Sequence, residues 1–256
     1  MPRFLVAALV GVFAGLSSGL FGIGGGLVFV PGLVLLLGFP QHRAHATSSV
    51  AVIGTAAVGA VRFFSGGAAD VRAGSLLAAG AILGALIGAT LMGRVPSTKL
   101  KALFAVVALV AAVRLALGAS DGGGTLTRLD VDAATVAAIV LLGAATGTLV
   151  SMLGLGGGLV YVPTLTLIFG LEQHISQGTS LVAIVPTQVA AAIVHHRAYR
   201  VDLAVAAVMG GGGMVGALIG AHVAFSLSAG ALKVLFSALL ILAAILQVLK
   251  REDVDR

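Results

Sequence analysis

Two stretches of the sequence hold residues from which a binding site could be built, and each is a copy of the other. Gly22-Ile-Gly-Gly-Gly-Leu-Val-Phe-Val-Pro31 and Gly154-Leu-Gly-Gly-Gly-Leu-Val-Tyr-Val-Pro163 are separated by 132 positions. Each lies inside a long apolar run. Three consecutive glycines (Gly24, Gly25 and Gly26; Gly156, Gly157 and Gly158) destabilise a helix there, and a following proline (Pro31; Pro163) removes a backbone donor. A helix broken in an apolar medium exposes N–H groups that must be buried in protein or face a polar cavity, and the restarted helix has a positive N-terminal end. Both features suit an oxyanion held by backbone donors without a charged side chain. A glycine-packed kink with no ligand is the other reading of the same residues.

Hydroxyl groups follow at matching places. Thr47, Ser48 and Ser49 in the first copy, and Thr179 and Ser180 in the second, open the next apolar run. There they can cap a helix start, present donors to an anion, or do both. Thr187 and Gln188, just after Pro186, stand where the first copy has Thr55 and Ala56, so a site that includes them is asymmetric. His42 and His174 occupy equivalent loop positions, and His195 and His196 beside Arg197 and Arg200 read as an interfacial anchor. His222 is the one histidine inside an apolar run; it is the candidate proton acceptor if the activity is proton-coupled.

Catalytic chemistry finds little support. The six histidines have no metal-binding spacing and H-E-x-x-H is absent. Gly15-Leu-Ser-Ser-Gly19 has the look of a serine-nucleophile motif, but its counterpart is Gly147-Thr-Leu-Val-Ser151 and no histidine is placed as its base. No catalytic residue, metal or cofactor is expected, and the chain is read as a non-enzyme.

The elements that must position these groups follow from composition. Of 256 residues, 59% are hydrophobic and 9% charged, with mean hydropathy +1.15; soluble domains are nearer half apolar and a quarter charged. This is the profile of a multi-pass membrane protein with a lipid bilayer as its main partner, room for roughly eight spans, and no large extramembrane domain. The 37 glycines allow close helix approach. There is no cysteine, which excludes disulfides, thiolate nucleophiles and sulfur-ligated metals. Asp70, Asp121, Asp130, Asp132, Glu172, Asp202, Glu252, Asp253 and Asp255 all fall in expected loops or tails, which weighs against cation transport. The net charge of +6 gathers near span ends. It reads as the positive-inside rule and not as nucleic-acid binding.

The same shift of 132 positions pairs Gln41-His42 with Gln173-His174, Asp70 with Asp202, and Gly84-Ala-Leu-Ile-Gly-Ala89 with Gly216-Ala-Leu-Ile-Gly-Ala221. Roughly a third of aligned positions are identical, so the chain is a duplication. Residues 1–118 form the first transmembrane repeat, 119–132 a polar linker and 133–256 the second repeat. Apolar runs place elements at 4–38, 45–64, 73–93 and 99–118, then at 133–170, 177–196, 203–225 and 229–249. The first run of each half is too long for one crossing, since about 35 residues at 1.5 Å each far exceed a 30 Å core. Gly80, Gly84, Gly88 and Gly212, Gly216, Gly220 recur every four residues and line one helix face for packing. Met1-Pro-Arg3 and the run after it are read as a retained span, because Gly15 within that run matches Gly147.

The glycine break makes either one discontinuous crossing or a tight hairpin, and that choice decides between parallel and inverted repeats. Both give about ten Lys and Arg inside to five outside. The unequal charge of matching loops, with Arg94, Lys99 and Lys101 against Lys233, favours inverted halves.

The doubled glycine–proline motif, each copy followed by Gly38 or Gly170 and then Ala46-Thr-Ser48 or Gly178-Thr-Ser180, resembles the TauE/SafE sulfite exporter family, also called the toluenesulfonate uptake permeases. The resemblance runs from about residue 4 to 249. It implies a bacterial inner-membrane carrier for small sulfur oxyanions or organosulfonates such as sulfite, thiosulfate or sulfoacetate. It also implies that the triple glycines, Pro31, Pro163 and the Thr-Ser pairs belong to the site.

The expectation is therefore an all-α, polytopic membrane protein of two fused repeats, each of about four transmembrane helices with the first broken at a Gly-rich motif. Its function is expected to be secondary transport of a small sulfur-containing anion by alternating access. An anion channel of the same shape and a non-transporting membrane subunit are the rivals, and assembly as a homo-oligomer is left open.

Overall fold

The computed structural model describes residues 3–91, 97–118, 124–130, 132–153, 157–198 and 201–249. The first half contains α1 (Arg3–Phe21), α2 (Gly26–Pro31), α3 (Gln41–Ser65), α4 (Val71–Leu91) and α5 (Ser97–Leu117). The second repeats the order as α6 (Ala133–Leu153), α7 (Gly158–Pro163), α8 (Gln173–Ala198), α9 (Leu203–Ser226) and α10 (Ala229–Leu249). Among the described residues seven helices are long and apolar enough to cross a membrane. The chain is the all-α, polytopic, two-repeat protein that its hydropathy and duplication imply.

The long first run is a hairpin. Gly25 lies against the Ala14 carbonyl and Gly32 against Val10, so as α2 advances its neighbours on α1 move back toward the N-terminus. Gly22, Gly24 and Gly25 supply the reversal with φ of 73°, 76° and 86°, a left-handed region that a side chain disfavours. The prolines do not stop the helices as expected. Beyond Pro31 and Pro163 the chain continues through wider π-helical turns, Gly32–Leu36 and Thr164–Ile168. These end near Gly38 and Gly170, at φ 68° and 69°.

The hairpin settles the direction of the halves. Phe39 returns to the end where the chain began, and the Arg3 and Arg43 guanidiniums lie 5.3 and 4.7 Å from its ring centroid. Asp202 joins them there, 2.7 Å from Arg3 and 3.2 Å from Arg43. At the opposite end Phe225 meets Phe63 with ring centroids 5.1 Å apart. Near that end Lys233 Nζ donates to the Gly118 carbonyl at 3.3 Å. One half thus starts where Arg3 is and finishes at the far end, from which the other half starts. The repeats are inverted, as the loop charges favour.

The halves interlock. α1 packs along α9 and α4 along α6, while α3 pairs with α8 and α5 with α10. Gly11, Gly15 and Gly19 sit directly on the carbonyls of Met209, Gly213 and Ala217, and Gly212, Gly216 and Gly220 sit on those of Ala8, Val12 and Leu16. In the partner seam Gly80, Gly84 and Gly88 meet the carbonyls of Val140, Ala144 and Thr148. A Cβ at most of these positions would enter main-chain atoms, so the four-residue glycine periodicity sets the helix spacing. The residues 124–130 between the halves dock at the far end. The Leu126 N–H donates to the Gly170 carbonyl at 3.2 Å, and the Leu129 N–H to Asp70 at 3.1 Å.

Candidate functional site

The two glycine breaks meet at the centre of the bundle, where the space for a Gly158 Cβ is taken by Ile23 and the Gly22 carbonyl. Beside this junction is a cavity of about 200 Å³ lined by α2, α3, α4, α6 and α8 with Gly157 and Tyr161. Its walls come from the first turns of α3 and the later turns of α4, α6 and α8, which places it toward the end that holds Arg3 and Asp202. Its polar groups are the side chains of His45, Ser48, Ser49, Ser151, Tyr161, Thr187 and Gln188, with the backbone of Gly26 and Gly157. No Asp or Glu is among the lining residues. Polar hydroxyl, amide and imidazole groups without a carboxylate, with the Ser48 hydroxyl and the Gln188 amide as donors, make a surface suited to an anion.

Local sequence explains this lining. Thr187 donates to the carbonyls of Ala183 and Ile184 at 3.1 and 2.8 Å, and also pairs with the Tyr161 hydroxyl. This threonine therefore bonds the helical turn that contains Pro186 and pairs with a second hydroxyl group. Ser151 donates to the Ala85 carbonyl at 3.1 Å across the α4–α6 seam. His45 Nε2 lies 3.1 Å from Gln41 Nε2, one turn earlier on α3.

The expected site residues divide into three groups. Gly26, Ser48, Gly157, Thr187 and Gln188 line the cavity. Gly24, Gly25 and Gly158 are buried in the central junction, and Gly156 lies outside the described residues. The remainder do other work or sit elsewhere. Thr47 Oγ1 accepts the Asp202 N–H at 3.2 Å and Thr179 Oγ1 accepts the Asp70 N–H at 2.9 Å, so each threonine ties the start of a helix in the opposite half. Asp202 and Asp70 then cap α9 and α4, accepting from Val205 and Ala73 at 3.1 and 3.0 Å. Ser180 donates to the Gly22 carbonyl at 2.9 Å. Pro31 is exposed and Pro163 buried, and neither reaches the cavity. His222 is exposed on the outer face of α9, apart from the cavity. Among the described residues the imidazole that faces the cavity is His45. His45 has Gln177 as its repeat counterpart, so the repeated pattern does not mark it, and Ser151 stands out in the sequence only as part of the counterpart of the Gly15–Gly19 segment.

Comparison with known proteins agrees with this architecture. The family profile described as sulfite exporter TauE/SafE matches residues 6–149 and again 139–256. A probable membrane transporter protein of Haemophilus influenzae is 32% identical over 169 residues, covering 63% of this chain and 62% of that protein. The probable membrane transporter protein YunE of Bacillus subtilis is 24% identical over 243 residues, covering 86% of this chain and 88% of its own. With both halves matched, this chain belongs to the TauE/SafE family of membrane transporters.

Proposed function

We propose that the protein is a secondary transporter of the bacterial inner membrane for a small sulfur-containing oxyanion or organosulfonate, and that the cavity beside the glycine breaks is its binding chamber. The observation that carries this reading is the lining: seven polar side chains, none of them a carboxylate, converge where the two halves meet. Sulfite, thiosulfate and sulfoacetate are the substrate class. Ser48 and Gln188 supply side-chain donors, while Ser49, Ser151 and Thr187 give their hydroxyl protons to backbone carbonyls and shape the wall, and Gly26 and Gly157 let the backbone come close. The inverted repeats support alternating access, because two similar halves can exchange arrangements about a central site. With the N-terminus inside, the surplus of about ten Lys and Arg to five makes the cavity cytoplasm-facing.

Reconstituted protein should show saturable uptake of one of these labelled anions, accelerated when unlabelled anion is preloaded inside. Uptake that never saturates, together with an electrical conductance far above carrier turnover, would replace the carrier with a channel.

A further inference from the structure

The cavity has a counterpart that is shut. Moving each lining residue by the repeat length leads to the opposite side of the central junction, where Ser48 becomes Ser180, His45 becomes Gln177 and Val150 becomes Ser18. There the chain is packed together. Ser180 is bonded to Gly22, Leu181 fills the space beside Gly59, and Thr55 and Phe29 fill that beside Gly213. α3 packs along α9 more extensively than its equivalent α8 packs along α4. The two halves therefore stand in different arrangements, one leaving a cavity and the other packed together among the described residues.

Two polar side chains do not fit a permanently closed side. Gln177 is fully buried, and neither its amide nitrogen nor its amide oxygen has a hydrogen-bond partner among the described residues. Ser18 is also fully buried, with its hydroxyl likewise unpartnered among them. They flank the same turn. The Gly22 N–H donates to the Ser18 carbonyl at 2.7 Å, and Gly22 packs on the Cα and Cβ of Gln177. The fold does not require a hydroxyl at position 18, since the repeat equivalent is Val150. Buried donors without partners are disfavoured unless another state of the molecule supplies one.

We propose that Ser18 and Gln177 form a second oxyanion position, occupied when the halves exchange arrangements and the closed side opens toward the far end of the bundle. This rests on the transport reading above. The amide N–H₂ and the hydroxyl donate to the anion as it leaves or enters by that end, as Ser48 and Gln188 do on the open side.

The absence of cysteine makes the test direct, since an introduced thiol is the only one present. Gln177→Cys and Ser18→Cys, each in monodisperse protein, are treated with a membrane-impermeant maleimide in vesicles of either orientation, with Ser151→Cys reporting on the open cavity. Ser151→Cys should react from the Arg3 end and Gln177→Cys from the end that carries Gly66–Asp70. Thiosulfate, sulfite or sulfoacetate should slow the Gln177→Cys reaction about tenfold when present at about ten times its Kd. The proposal is overturned if Ser151→Cys reacts while both Gln177→Cys and Ser18→Cys stay inert, or if they react from the Arg3 end. Reaction from the correct end without slowing by any of the three anions removes the oxyanion position and leaves the opening. An inert Ser151→Cys removes the chamber itself, and this position with it.

Discussion

Thr47 and Ser48 are adjacent hydroxyls on one turn of α3, yet one holds the backbone of the opposite half and the other faces the cavity. Thr47→Val should leave the Asp202 N–H without its acceptor and cost about 1–3 kcal/mol, lowering the thermal unfolding midpoint in detergent without raising the KM for uptake. Ser48→Ala should do the reverse, with the midpoint kept and the KM raised. Nothing in the sequence separates the two hydroxyls, because the distinction depends on which way each points in the packed bundle. Asp202 makes a further prediction. Burial alone would raise its pKa, but the Val205 N–H, Arg3 and Arg43 hold its carboxyl below the usual carboxylate value. A depressed folded-state pKa stabilises above the unfolded value of about 3.9, and that stabilisation is lost as pH falls through the folded value. Asp202→Asn should therefore flatten the fall of the unfolding midpoint between about pH 5 and pH 3.

At the scale of the element, glycine does two different jobs that the sequence partly reveals. The four-residue spacing of Gly212, Gly216 and Gly220 is legible as a packing face, because a helix repeats every 3.6 residues and small residues on one side permit close approach. The run Gly210–Gly213 shows how sharp the requirement is. A Cβ on Gly211 meets nothing within 4 Å, whereas one on Gly212 meets the Ala8 carbonyl. Gly211→Ala should be neutral or stabilising by up to about 1 kcal/mol, and Gly212→Ala should reduce the yield of monodisperse protein, both read by size-exclusion chromatography and thermal unfolding. The hairpin is legible only as one of two alternatives. The break at Gly24–Gly26 is local, but the direction taken after it is fixed by α2 packing back on Val10 and Ala14, contacts that no local pattern announces.

At the scale of the molecule, duplication is the most readable feature and asymmetry the least. Identical residues such as Ser48 and Ser180 occupy equivalent places, and their different surroundings belong to the conformational state of the two halves. Inverted halves predict that single cysteines at Pro40 and at its equivalent, Glu172, react with an impermeant reagent from opposite faces of the membrane; parallel repeats would place both on one face.

The central claim is that a small sulfur oxyanion is carried through the chamber between the halves. Its most direct test is uptake of labelled sulfite, thiosulfate and sulfoacetate into proteoliposomes by the wild type and by the Ser48→Ala, Gln188→Leu double variant. Saturable uptake of one anion is expected, with KM raised about ten- to a hundredfold in the variant, as the loss of hydrogen bonds to a charged ligand implies. No saturable uptake by monodisperse protein, or kinetics that the double substitution leaves unchanged, would contradict it.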